Sequence, residues 1–292
     1  MRRANILQIA FLSLAASAYT SPAMAQQIRQ AGPDEAPAAR REGLEQYRAG
    51  QYEKAIETFR EAIRLKSDYA EAHNDLGVTY AGLERHEEAA DSYRQAIRLK
   101  PDYAEPHYNL GTMHHKLGRL EEAVASLRQA IRLKPDYAWA HNNLGTVYFE
   151  SGRYEEAVES YRRAIRSRPE WADAHFLLAL SYYQAGQSAE AVSSFKQAIR
   201  LRPDFVEAHN SLGVAHYYAG RHKEALESFQ EAIRIKPDYA TARYNLGVIS
   251  LARNRRETAL EQYRMLKTLS RDLADRLYGG LYRGALLNLS HR

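Results

Sequence analysis

The chain has no cysteine, only two tryptophans and four methionines, and few glycines or prolines for its 292 residues. Without cysteine there is no disulfide, thiolate metal site, cysteine nucleophile or N-terminal cysteine lipid, so packing alone must hold the fold. Scarce glycine and proline exclude a collagen-like or low-complexity chain. A charged fraction of 26% beside 45% apolar residues suits a folded, helix-rich protein. An excess of one charge is also missing. The net charge is +5, and without Arg2 and Arg3 the 41 basic residues become 39 against 36 acidic ones. That balance, spread along the chain, argues against nucleic acid as a partner.

Long apolar runs are absent too. The stretch from Ile6 to Tyr19 falls short of the roughly 20 residues of a membrane span. Preceded by Arg2-Arg3 and followed by Ala23-Met24-Ala25, it has the pattern of a secretory signal. Residues 1–25 are expected to be a signal peptide and 26–35 a flexible leader. The expected location is the periplasm, with an extracellular position or anchoring by an uncleaved signal as alternatives. No stable membrane span is expected after cleavage.

Enzyme signatures are missing as well: there is no HExxH, Walker loop or GxSxG. The glycine-rich stretch from Gly279 to Gly284 lacks the strand-turn-helix setting of a phosphate loop. A non-enzymatic protein without cofactor is expected.

What the chain does have is a phrase. RLKPDYAWAHNNLG, from Arg132 to Gly145, recurs in altered form every 34 residues. Units begin at Ala36, Ala70, Ala104, Ala138, Ala172, Val206 and Ala240, so that Leu-Gly falls at positions 7 and 8 in most of them. Position 20 is alanine in all seven: Ala55, Ala89, Ala123, Ala157, Ala191, Ala225 and Ala259. Position 24 is aromatic or Leu, position 27 is Ala in six units, and Pro101, Pro135, Pro169, Pro203 and Pro237 hold position 32.

These residues resemble the tetratricopeptide repeat, and seven copies cover residues 36–273. The resemblance implies an all-α, right-handed superhelical solenoid of about seven helix-turn-helix repeats with a concave groove. Residues 274–292 are expected to form a C-terminal capping helix.

Each position has a physical reading. Glycine at position 15 suits the turn between paired helices. Alanine at 20 and 27 and glycine at 8 let helices approach, while the residue at 24 fills the space beside them. Proline at 32 stops the second helix. Aspartate at 33 is expected to cap the next helix, with capping boxes at Asp68/Glu71, Asp102/Glu105 and Asp204/Glu207. The first unit is degenerate in its first helix and regular from Gly50 onward.

Along the first helix of a unit, positions 4, 7, 8 and 11 share the packed side. Positions 2, 5, 6, 9 and 13 lie opposite, with 12 on their border, and by resemblance they line the groove. Position 6 reads Asp75, Asn109, Asn143, Leu177, Ser211 and Asn245. In repeats of O-linked N-acetylglucosamine transferases, asparagines at this position form a ladder. By that resemblance Asp75, Asn109, Asn142, Asn143, Ser211 and Asn245 are candidate peptide-binding residues. An amide both donates and accepts, so it can pair with a peptide backbone whatever its sequence. Leu177 and Ser211 interrupt the row, and solvation alone would also explain exposed polar groups.

Aromatic residues gather on the same face: Trp139, Phe149, Phe176, Tyr183, Tyr217 and Tyr218. They suggest contact with a ligand, although those at position 12 could instead pack within the stack. Trp139 replaces the acid of the capping box, a departure from the local rule. The histidines at position 4 (His73, His107, His141, His175, His209) lie on the packed side, about 10 Å apart, too far to share a metal. No metal site is expected.

The expected function is a scaffold that binds an extended peptide or partner protein in the groove, within a cell-envelope or secretion assembly. The alternative is a carbohydrate-binding or polysaccharide-export accessory protein, since aromatic faces stack on sugars. A clamp for chaperone carboxylate tails would need lysine and arginine at positions 2, 5 and 6. Glu71, Glu105, Asp173 and Glu207 stand against it.

Overall fold

The computed structural model describes residues 34–289, with side chains to residue 281. The expected signal peptide, and the leader up to residue 33, lie outside the described residues. Among the described residues all regular structure is helical. The first repeats give α1 (Glu35–Arg48), α2 (Tyr52–Leu65), α3 (Ala70–Gly82), α4 (His86–Leu99), α5 (Ala104–Lys116), α6 (Leu120–Leu133) and α7 (Ala138–Glu150). Then follow α8 (Tyr154–Ser167), α9 (Ala172–Gln184), α10 (Ser188–Leu201), α11 (Val206–Tyr218), α12 (His222–Ile235), α13 (Ala240–Ala252), α14 (Arg256–Leu269) and α15 (Arg271–Leu289).

Two compact units divide between Asn143 and Leu144, inside α7. In the first, α1 packs on α2, α3 on α4 and α5 on α6, with α2 meeting α3 and α4 meeting α5. In the second, α9 packs on α10, α11 on α12 and α13 on α14, and α15 lies against α13 and α14.

The repeat positions take the roles their chemistry requires. Gly50, Gly118, Gly152, Gly186 and Gly220 all have φ between +73° and +79°, and Glu84 and Asn254 adopt the same left-handed conformation in the remaining units. There Arg119 N–H donates to the His114 carbonyl (2.8 Å) and Gly118 N–H to His115 (2.9 Å), which closes the helix end. Position 8 is glycine in six units, with Ala179 in the fifth, and at Gly77 and Gly213 the neighbouring ring leaves no room for a side chain. A Cβ on Gly77 would lie 2.6 Å from the Tyr93 ring, and one on Gly213 2.6 Å from Phe229. The first repeat, degenerate in sequence, keeps this contact between Gly43 and Phe59. Ala55, Ala89, Ala123 and Ala157 are wholly buried, and Phe59, Tyr93, Leu127, Tyr161 and Phe195 are among the largest fully buried side chains.

The junction between repeats corrects one expectation. The second helix ends, and the residue before proline turns extended (Lys100 φ −142°, ψ 86°), as the proline ring demands. The next helix then starts after an aromatic residue, not after Asp. Tyr69, Tyr103, Trp171, Phe205 and Tyr239 hold the N-cap place, and none makes a side-chain cap. Asp68, Asp102 and Asp204 stand one residue too early, so the expected capping boxes do not form. The acids at position 2 do something else: Glu71 pairs with Lys100 (3.2 Å) and Asp173 with Arg202 (2.5 Å).

At the last repeat, Gly247 faces Leu277 of α15, whose side chain a Cβ would meet at 2.6 Å. Ala274, Leu277 and Leu281 join Ala259 and Leu266 in one core cluster. No helix among the described residues is long and apolar enough to cross a membrane.

Candidate functional site

The first helices of adjacent repeats are joined by side chains from positions 5 and 6. Asn109 Nδ2 donates to Asn74 Oδ1 at 3.0 Å. Asn143 Nδ2 reaches Tyr108 Oη (3.3 Å) and Thr112 Oγ1 (3.2 Å). In the second unit Asn245 Nδ2 donates to Asn210 Oδ1 at 2.9 Å. At the N-terminal end the same register is ionic: Arg40 Nε lies 2.6 Å from Asp75 Oδ2. Burial raises the Asp75 carboxyl above its ordinary value, and the Arg40 hydrogen bond and charge oppose that rise. Asp75, Asn109, Asn143 and Asn245 of the candidate ladder thus already work inside the protein, each holding the repeat before it.

These side chains sit at the rim of the packing. Asn109, Asn143, Asn245 and Asp75 are half-buried, whereas Asn142 and Ser211 are buried. Leu177 and Phe176 carry no amide, and Phe176 instead packs inside its own repeat against Phe195 (5.8 Å between centroids) and Phe205 (4.8 Å).

The six candidate aromatics separate by exposure. Trp139 is 47% exposed and Tyr218 72%. Phe149 is buried edge-on against Tyr154, which leaves little ring for a ligand. In the second unit Tyr183, Tyr217 and Tyr218 form one cluster. Tyr218 lies 6.4 Å from Tyr183 and 5.4 Å from Tyr217, between ring centroids.

The position-4 histidines hold the turn. Nε2 of His107, His141, His175 and His209 lies 2.9–3.0 Å from the carbonyl of the proline six residues earlier. A carbonyl only accepts, so Nε2 carries the proton. Arg243 does the same for Pro237 at 2.7 Å and also binds Gln262. Among the described residues no histidine or acidic cluster could hold a metal ion.

A comparison with family models matches residues 3–217 to the cilia and flagella-associated protein 70 C-terminal domain, a tetratricopeptide-repeat domain. Residues 215–252 match the TPR repeat itself. The chain belongs to the tetratricopeptide-repeat family. Among solved structures it is similar to YrrB, a TPR protein with an unusual peptide-binding site: 24% identity, 64% of this chain and 96% of that one, TM-score 0.59. MamA is 28% identical over 55% of this chain and 94% of that one, with TM-score 0.53. The C-terminal part of a TPR repeat-containing protein from Cytophaga hutchinsonii is 16% identical over 80% and 98%, with TM-score 0.69. A search of curated proteins returns no match. The tetratricopeptide fold suggests a scaffold for protein–protein interaction.

Two features of these tetratricopeptide repeats escaped the sequence reading. Position 34 is aromatic in six of the seven units, and the base at position 31 lies over its ring: Lys100 over Tyr103 (5.1 Å), Lys134 over Tyr137 (5.0 Å), Arg168 over Trp171 (4.9 Å), Arg202 over Phe205 (4.4 Å). The three-residue spacing from base to ring is present in the sequence, on either side of the proline and aspartate. The pairing of positions 5 and 6 at a separation of 35 residues was visible only as two polar columns.

Proposed function

We propose that this tetratricopeptide-repeat protein is a non-enzymatic adaptor. It holds an extended peptide from a protein partner on the face formed by the first helices of its repeats. The observation that carries this reading is in α7. Asn143 is half-buried, uses its nitrogen to hold the preceding repeat, and lies one helical turn from an exposed tryptophan, Trp139. An amide edge beside a broad aromatic surface suits a peptide, which brings both backbone polar groups and apolar side chains. The basic, apolar and small-residue pattern of residues 1–25 supports export and a role in an envelope or secretion assembly.

Affinity capture from an envelope fraction tests the reading. Wild-type protein should retain a protein partner that Trp139→Glu loses, with little change in melting temperature, since exposed substitutions usually stay within about 0.5 kcal/mol. Equal capture by both would sink it. The cluster around Tyr218 supports a second reading, a carbohydrate ligand stacked on tyrosine rings. Titration with envelope polysaccharide, read by Trp139 fluorescence in a Trp171→Phe background, separates the two.

A further inference from the structure

The balance of charge over the whole chain conceals a gradient along one edge, formed by the turns between the two helices of each repeat. In the first compact unit ion pairs between neighbouring repeats knit this edge. Arg85, at position 16, lies 3.9 Å from Glu53, at position 18 of the repeat before. Arg119 Nη1 donates to Glu87 Oε2 in the same register at 3.1 Å. At the last two junctions of the second compact unit these positions read Arg221 with Ala189 and Arg255 with Lys223. One junction has lost its acid, and the other has exchanged it for a second base. Residues 218–224 and 252–258 together carry five bases and two acids, Glu224 and Glu257, whereas 82–88 and 116–122 carry three bases and five acids.

These bases stand where local physics disfavours them. The positive end of a helix dipole favours acids. The first turns of α4 and α6 hold two each, but those of α12 and α14 hold one, beside Lys223 and Arg256. The turn backbone fixes the two arginines, since Arg221 N–H donates to the His216 carbonyl (2.9 Å) and Arg255 N–H to that of Ser250 (2.8 Å). Arg221, Lys223 and Arg255 are all exposed. Like charges gathered at positive helix ends are unfavourable by themselves, and a bound anion offsets both effects. A break in the local rule of this kind points to function.

Aromatic rings border the same bases. Tyr218 ends α11, three residues before Arg221, and is 72% exposed. Its ring stands at 80° to Tyr217, 5.4 Å away, and lies 6.4 Å from Tyr183 of the repeat before.

We infer that this edge of the second compact unit binds an acidic polysaccharide, with carboxylates on Arg221, Lys223 and Arg255 and sugar rings against Tyr218. This rests on the carbohydrate reading above and narrows it to polymers that carry carboxylates. The unneutralised bases select a polyanion. The rings then select among polyanions, because a sugar offers C–H faces to an aromatic surface and hydroxyls to a phenol oxygen. A lipid surface calls for an apolar face to bury, and Tyr218 is the one exposed large apolar side chain on this edge among the described residues.

The test is isothermal titration calorimetry of the full chain with oligomers of polygalacturonate and with their methyl esters, which keep the sugar rings and lose the charge. The acid should bind about tenfold more tightly than the ester, and its affinity should fall as salt screens the exposed charges. Lys223→Glu restores at position 18 the acid that Glu53 and Glu87 supply in the early repeats. It should leave the melting temperature unchanged or raised and weaken polygalacturonate binding about tenfold. Arg255→Gln, a residue position 16 already holds at Gln51 and Gln187, should weaken it too and replaces Lys223→Glu if that variant is unfolded. Tyr218→Ala, with alanine already at this position in Ala252, should weaken it about fivefold. Unchanged binding by the folded variants overturns the inference, as does binding of polyglutamate or of phosphatidylglycerol vesicles in place of polygalacturonate. If the ester binds as well as the acid and Tyr218→Ala weakens both, the inference falls and the carbohydrate reading stands. If neither sugar polymer binds, both fall.

Discussion

At the scale of the residue, the strictest positions are those where a side chain would collide. Gly77 shows the limit: a Cβ there would sit 2.6 and 2.8 Å from atoms of the buried Tyr93 ring. The ring is buried in the same core cluster as Ala89 and Leu110, where close packing resists its displacement. Gly77→Ala should therefore destabilise the protein by about 1–3 kcal/mol, although alanine is the better helix former. Chemical denaturation followed by circular dichroism would show it, and an unchanged midpoint would mean that Tyr93 has room to move. Asn109 and Asn143 are a different kind of residue. Each holds a neighbouring repeat, so replacing them with alanine should lower stability by about 1 kcal/mol per lost hydrogen bond. A binding assay on such variants therefore needs a melting curve beside it.

At the scale of the element, the link between repeats is made of small closures. Proline stops one helix, its carbonyl receives the histidine at position 4, and the base at position 31 lies over the ring that precedes the next helix. Buried histidines, at position 4 and elsewhere in the repeats, couple stability to pH. Burial holds His73, His86, His175 and His216 below the ordinary imidazole value, and nearby Arg98, Lys116, Arg200 and Arg221 push the same way. Their neutral forms support the fold fully above about pH 6.5, and that support is lost as the pH falls through their lowered folded-state values. The melting temperature should be flat from neutral to mildly alkaline pH and fall as acidity increases below about 6.5, before carboxylates titrate. His216→Tyr, which copies Tyr148 and Tyr182 at the same repeat position, should flatten part of that slope. An identical slope in the variant would remove His216 from the account.

At the scale of the whole molecule, each repeat supports only its neighbours. The last one is closed by α15, where Leu277 enters the gap above Gly247 and joins Leu266 and Leu281. Leu277→Ala should cost about 2–5 kcal/mol locally. Because coupling decays along a repeat array, hydrogen exchange should speed up in α13 and α14 while α3 to α6 keep their protection. Loss of protection throughout would mean that the array unfolds as one body. The same locality explains how the candidate face can change character along the chain. Charged or amide groups occupy positions 5 and 6 in most repeats, while Phe176 and Leu177 replace them in the fifth.

Period, helix pairing, turn glycines and the packed face were legible in one dimension. Each depends on residues a fixed distance apart within one unit, and 34 residues are enough to close the unit on itself. The face bearing Trp139 and Asn143 was also legible, because helical geometry alone separates it from positions 4, 7, 8 and 11. The capping boxes failed for a local reason: proline and its turn delay the helix by one residue, past the aspartate. What the asparagines do was not legible. Their partners lie 35 residues away on another helix, and which end of each amide is engaged follows from what that partner offers. Donor and acceptor accounting of that kind exists only once the helices are packed side by side.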